Sequence, residues 1–198
     1  MKFNLLHPRD QIVHIMNRIY NNGMTTLSGG NLSIRDDNGD IWITPTGIDK
    51  GKLQSSDIMC VKQDGTVIGE NKVSSEYPFQ RWIYKKRPDL NAIADHKLNT
   101  RTIPKSYVVL RDIQLIPYGQ QYKEPNKIAE IISNKNPVLL IKNECILIAG
   151  GIILEVFNRL EVAEFTPRSI IDAQSIGSLL PIGKDEVDQL NVHFLGSN

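Results

Sequence analysis

Apolar residues recur at helical spacing at Ile12, Val13, Ile15, Met16, Ile19 and Tyr20, with Pro8 suited to a first helical turn and Asn21-Asn22-Gly23 to a stop. An opening helix with one core-facing side is expected. After a small-residue turn at 28–30 the period shortens to that of strands. Residues 31–35 and 41–44 are joined through Asp36-Asp37-Asn38-Gly39, and residues 58–62 and 66–69 across Gln63-Asp64-Gly65. Residues 77–86 return to a helical pattern, with Phe79, Trp82 and Ile83 on one side and Arg87-Pro88 as the stop. Residues 91–95 and 113–118 read as strands, and 125–133 as a short helix. Residues 138–142 and 145–149 read as a tight apolar hairpin around Asn143 and Glu144, and Gly150-Gly151 lead into an amphipathic helix over 153–165. Beyond Pro167, residues 170–180 are apolar enough to pack as a helix, and 184–194 form a last amphipathic one. No internal repeat or long linker appears, so one domain over residues 1–198 is expected, with 168–198 as a helical tail. Strands that follow one another through turns, with helices between groups, predict an α/β or α+β sandwich around a largely antiparallel sheet.

Composition narrows the function classes. Of 198 residues, 40% are hydrophobic and 23% charged, values that disfavour disorder. The net charge of +1, with Lys and Arg scattered among Asp and Glu, gives no basic stripe, so nucleic acid is not an expected partner. The two cysteines, Cys60 and Cys145, sit in apolar strand-like runs and are expected as buried free thiols of a reducing compartment. No stretch reaches the roughly 18 apolar residues of a membrane span. A cytoplasmic protein without a membrane role is expected.

Three stretches stand out chemically. Leu27 to Arg35 reads LSGGNLSIR, 43–47 reads ITPTG, and Ser74-Ser75-Glu76 opens the second long helix. Alone, each has a structural explanation: glycines for a tight turn, a Thr-Pro turn, and a hydroxyl cap with an acid in the first helical turn. Together they supply unhindered backbone N–H groups, hydroxyls and a carboxylate, the materials of a cup for phosphate or another small anion.

The order of these stretches, followed by IYKKRPDLNAI at 83–93, IPYG at 116–119, VLLIKNE at 138–144 and FNRLEVAE at 157–164, resembles the class II aldolase/adducin family over roughly residues 10–165. The resemblance implies a three-layer αβα sandwich, commonly a cyclic tetramer with active sites between subunits. It implies that Ser28, Gly29, Gly30, Asn31, Thr46, Gly47, Ser74 and Ser75 hold a substrate phosphate, and that Glu76 is the acid/base carboxylate. A small phosphorylated or anionic ligand and a homo-oligomer are the partners it suggests.

The chain departs from the family where active members bind zinc with three histidines, two in a His-x-His strand end and one in an Asn-His-Gly turn. Asp95 and Lys97 stand at the first two positions, flanking His96, and Glu144 stands at the third. The connection after His96 is also shortened, so part of the site wall is expected to be missing. The resemblance therefore leads to an aldolase-like protein with a sugar-phosphate pocket, a degenerate metal site and no expected cofactor. Two alternatives remain. One is an active aldehyde-lyase or epimerase whose divalent metal is held by Asp95, Glu144, Glu76 and a shifted His96, a donor set favouring Mg²⁺ or Mn²⁺ and opposed by the Lys97 ammonium. The other is a non-catalytic interaction module, as in adducin.

Overall fold

The computed structural model describes residues 3–96, 113–178 and 182–195. Lys97 and the shortened connection lie outside them. Helix α1 (Pro8–Asn21) leads into strands β1 (Asn31–Arg35), β2 (Ile41–Ile43), β3 (Met59–Val61) and β4 (Val67–Ile68). Helix α2 (Tyr77–Lys86) then precedes β5 (Ala92–His96). Next come β6 (Gln114–Ile116), α3 (Gln120–Lys123), α4 (Pro125–Ile131), β7 (Val138–Ile141), β8 (Cys145–Gly150), α5 (Ile153–Ile176) and α6 (Lys184–Leu195).

The strands form one eight-stranded sheet in the order β4-β3-β2-β1-β5-β8-β7-β6. Every neighbouring pair is antiparallel except β6 with β7. Because successive side chains alternate between faces, each strand feeds two cores. On one face Ile12, Ile15, Met16 and Ile19 of α1 and Val156, Phe157 and Leu160 of α5 pack on Leu32, Ala92, Ala94 and Ile148. On the other, Phe79, Ile83 and Tyr84 of α2 and Ile128 and Ala129 of α4 pack on Ile93, Leu139, Ile141 and Leu147. This is the expected three-layer αβα sandwich around a largely antiparallel sheet.

The sheet alternation decides which side of β5 each chemistry-bearing residue occupies. Ala92 and Ala94 face α1 and α5, while Ile93 faces α2 and α4, so Asp95 lies toward α2 and His96 on the opposite side. The ladder places Asn31 beside Asp95 and Ser33 beside Ile93.

Some elements differ from the sequence expectation. The helix expected to end near Phe165 continues to Ile176, through Pro167. A proline removes one N–H and crowds the carbonyl four residues back, but the helix is retained on both sides of it. Its extension does not pack as expected, since Ile171 is 47% and Ile176 90% exposed. Three residues, not two, separate β7 from β8: Ile141 pairs with Cys145, and Asn143 adopts a left-handed φ of 58°. Cys60 is buried as expected, whereas Cys145 at this turn is partly exposed. Among the described residues no helix is long and apolar enough to cross a membrane.

Arg35 fixes the end of α2 to the sheet. Its guanidinium donates to the carbonyls of Tyr84, Pro88 and Leu90 at 2.7–2.8 Å and to Asn91 Oδ1 at 2.9 Å. This rigid fork satisfies carbonyls that a helix end leaves without partners. Replacing it by alanine strands them, and we expect Arg35→Ala to lose about 2–3 kcal/mol in urea unfolding. Arg35→Lys, one point charge in place of a fork, should recover only part of that loss.

Candidate functional site

The three stretches singled out in the sequence meet at one end of the sheet. The first and second are tied by the Thr44 N–H donating to the Leu32 carbonyl at 3.0 Å, and just beyond the second the Lys50 N–H donates to the Leu27 carbonyl at 2.7 Å. The second and third are tied by Thr46 N–H donating to Lys72 O at 3.0 Å and by an isolated bridge between Pro45 and Val73. Ser74 Oγ donates to Asn31 Oδ1 at 2.8 Å, closing the circle from the third stretch to the first.

Two glycines shape the mouth. Gly30 has φ of +68°, and an added Cβ would lie 2.6 Å from His96 Nδ1, so the residue is required by both conformation and contact. Gly47 has φ of +72° with nothing within 4 Å of an added Cβ, which marks open space. The N–H groups of Gly30 and Gly47 donate to no described residue. Thr46, in contrast, uses its N–H on the Lys72 carbonyl. Ser28 is exposed and Gly29 half-buried, with the Gly29 carbonyl accepting from Thr25 Oγ1 at 2.9 Å. Ser75 is also exposed.

Ser74 is 4% exposed, and its hydroxyl oxygen accepts the Glu76 N–H at 3.2 Å in the turn before α2; the N-cap is Glu76 itself, without a side-chain cap hydrogen bond, so the expected hydroxyl cap and first-turn acid are not what the structure has. Glu76 is half-buried. Tyr122 OH lies 2.8 Å from both of its carboxylate oxygens, and the Tyr122 ring meets Phe79 edge to face at 6.2 Å. Burial raises the Glu76 pKa above the usual range; the Tyr122 hydrogen bond opposes this, and the nearby Glu144 charge adds to it.

Beneath these residues lies a chain of polar groups. Asn31 Nδ2 donates to Asp95 Oδ1 at 3.1 Å, and Gln80 Nε2 donates to Asp95 Oδ2 at 2.7 Å. Ser33 Oγ donates to Gln80 Oε1 at 2.6 Å and lies 2.8 Å from the Tyr84 hydroxyl. Gln80 and Ser33 are fully buried. Burial, with the Glu76 charge next in weight, pushes Asp95 up to about 7, while the two amide hydrogen bonds and Lys50 pull it down.

His96 is buried on the other face, its Nε2 against the Met24 carbonyl, and burial lowers its pKa. Glu144 is half-buried in the β7–β8 turn. Among the described residues, no group of three or more His, Cys, Asp and Glu is placed to hold a metal ion. Sequence reasoning missed Gln80, Tyr122 and Lys50. Gln80 was legible as the i+4 neighbour of Glu76 on α2. Tyr122 and Lys50 come from a short helix and a turn that carried no signal.

Comparison with known proteins decides the family. The model of the class II aldolase and adducin N-terminal domain matches residues 10–170. The chain belongs to that family. L-fuculose phosphate aldolase of Methanocaldococcus jannaschii is 32% identical over 79% of this chain and 91% of its own length. 3-Oxo-tetronate 4-phosphate decarboxylase of Haemophilus influenzae is 28% identical over 85% of this chain and 89% of its own. Among solved structures, YgbL from Klebsiella pneumoniae superposes with a TM-score of 0.77 at 25% identity, covering 96% of this chain and 99% of that one. As a class II aldolase-family domain, the chain thus sits among relatives named for both aldol cleavage and decarboxylation of phosphorylated compounds.

The raised carboxylates fix the sign of a pH effect. A folded pKa above the unfolded value means that the native state holds extra protons between about pH 4 and pH 7. Stability contributed there is present at low pH and lost as pH rises through the folded pKa. Thermal melts should therefore show a loss of stability from about pH 4 to pH 7, and a shallower slope for Asp95→Asn, with the raised Glu76 contributing in the same direction.

Proposed function

We propose that this class II aldolase-family protein binds a small phosphorylated or anionic compound in the cup formed by Ser28, Gly29, Gly30, Asn31, Thr46, Gly47, Ser74 and Ser75. The observation that carries this reading is the closed tie between the three stretches, with the free N–H groups of Gly30 and Gly47 at the mouth. A ring of short turns with undirected donors is suited to an anion.

On the same reading the metal-binding half is rewritten. The residues at the ligand positions do not fit zinc: both Asp95 oxygens already accept amide hydrogen bonds, and His96 lies across the sheet. Oligomerisation, as a tetramer by the family resemblance, and a cytoplasmic location belong to the same proposal. The exposure of Leu115 and Tyr118 near β6 supports an interface, and the reduced cysteine usage supports the compartment.

A second reading, acid–base catalysis on a phosphorylated hydroxy-carbonyl compound, is favoured by Glu76. Burial raises its pKa above the ordinary value, the direction a carboxyl that takes up and returns a proton requires, and Tyr122 fixes its carboxylate. Glu76→Gln would abolish such turnover while leaving binding intact, whereas a pure binding module would be indifferent to it.

Calorimetric titration with inorganic phosphate tests the cup. The protein should bind phosphate, and Ser74→Ala, which removes the hydroxyl joining Asn31 to the start of α2, should weaken binding by about tenfold. Absence of phosphate binding to the unmodified protein contradicts the proposal.

A further inference from the structure

We infer that Lys50 is a binding residue of this same cup, its buried ammonium supplying positive charge for a doubly ionised ligand such as a phosphate monoester. The inference rests on the anion-cup reading above and adds a group that neither the sequence motifs nor the family resemblance assigns.

Lys50 is 0% exposed, in a short 3-10 turn at Lys50–Lys52. Its main-chain N–H holds the Leu27 carbonyl and its Nζ donates to the Pro45 carbonyl at 2.6 Å. One residue thereby lies between the glycine turn and the Thr-Pro-Thr-Gly turn, touching both. An ammonium has three N–H groups, and the carbonyl of Pro45 engages one. No second hydrogen bond and no carboxylate within salt-bridge distance serves the other two among the described residues.

Burying an ammonium without a counter-charge is unfavourable by several kcal/mol. Asp95 acts on it only through space, and burial drives the Lys50 pKa down despite that attraction. The fold thus buries an amine whose charged form has no counter-charge within salt-bridge distance among the described residues, at the junction of the loops that form the proposed cup. A dianion in the cup supplies the missing charge. It also gains an attraction that neutral compounds of the same shape do not have, since Coulomb energy inside a protein falls off far less than in water.

The alternative is a purely mechanical role, in which Lys50 only staples Pro45 to the rest of the loop. Two measurements separate the roles. In the first, inorganic phosphate is titrated calorimetrically into the unmodified protein and into Lys50→Met, with thermal melts confirming that both are folded. The phosphate Kd should rise by about tenfold or more in the variant. In the second, the Lys50 Cε resonance is followed by NMR in the unmodified protein during phosphate titration. It should shift together with the amide signals of Gly30 and Gly47, and this arm decides the matter if Lys50→Met does not fold. An unchanged Kd in folded Lys50→Met overturns the inference, as does a stationary Lys50 resonance while the glycine amides move; the cup reading survives both. Failure of the unmodified protein to bind phosphate overturns the cup reading and the inference with it.

Discussion

The side-chain amide of Asn31 is the interaction on which the site depends. Its oxygen accepts from Ser74 at the start of α2, and its nitrogen donates to Asp95 on β5. Thr44, at the end of β2, reaches the same oxygen at 3.4 Å and accepts the Leu32 N–H. One small planar group with two donors and two acceptors thereby sets the spacing of four elements. Because these groups are mostly enclosed, an unmade bond would carry the full desolvation penalty, and the arrangement is held as a unit rather than as separate contacts.

That constraint explains how the fold accommodates a buried carboxylate at Asp95. A lone buried Asp would be costly. Asn31 and Gln80 each donate to one oxygen of Asp95, and Gln80 is in turn engaged by Ser33, whose hydroxyl meets Tyr84. The amides are polar but uncharged, so they orient Asp95 without neutralising it, and its proton affinity rises to near neutrality. On the proposed reading, a hydrogen-bonded network occupies the space that a cation and its ligands would otherwise organise.

Most of the fold was legible in the sequence because its elements follow local rules. The helix from Pro8, the strands around Asp36–Gly39 and the helix from Tyr77 carry clear periods and strong stops, and they form where expected. The continuation of α5 through Pro167 was not legible, since a proline rule weighs local backbone cost and says nothing about the tertiary setting of the helix. Within the site, motif order was enough to nominate Asn31, Ser74 and Glu76. Whether His96 faces the pocket was beyond sequence, because a one-residue shift in strand register exchanges the two faces. Lys50 was invisible for a similar reason: its burial arises from loop packing, and exposed lysines in turns look the same in a string of letters.

On the proposed reading the cup persists without the zinc centre that the family resemblance implies. Zinc affinity measured by equilibrium dialysis, on the unmodified protein and on the triple variant Asp95→His, Lys97→His, Glu144→His, tests it most directly. No stoichiometric zinc is expected on the unmodified chain and one zinc per chain on the variant, where neutral imidazoles replace a hydrogen-bonded carboxylate, an ammonium and a turn carboxylate. A stoichiometric zinc bound by the unmodified protein as tightly as by the variant would contradict it.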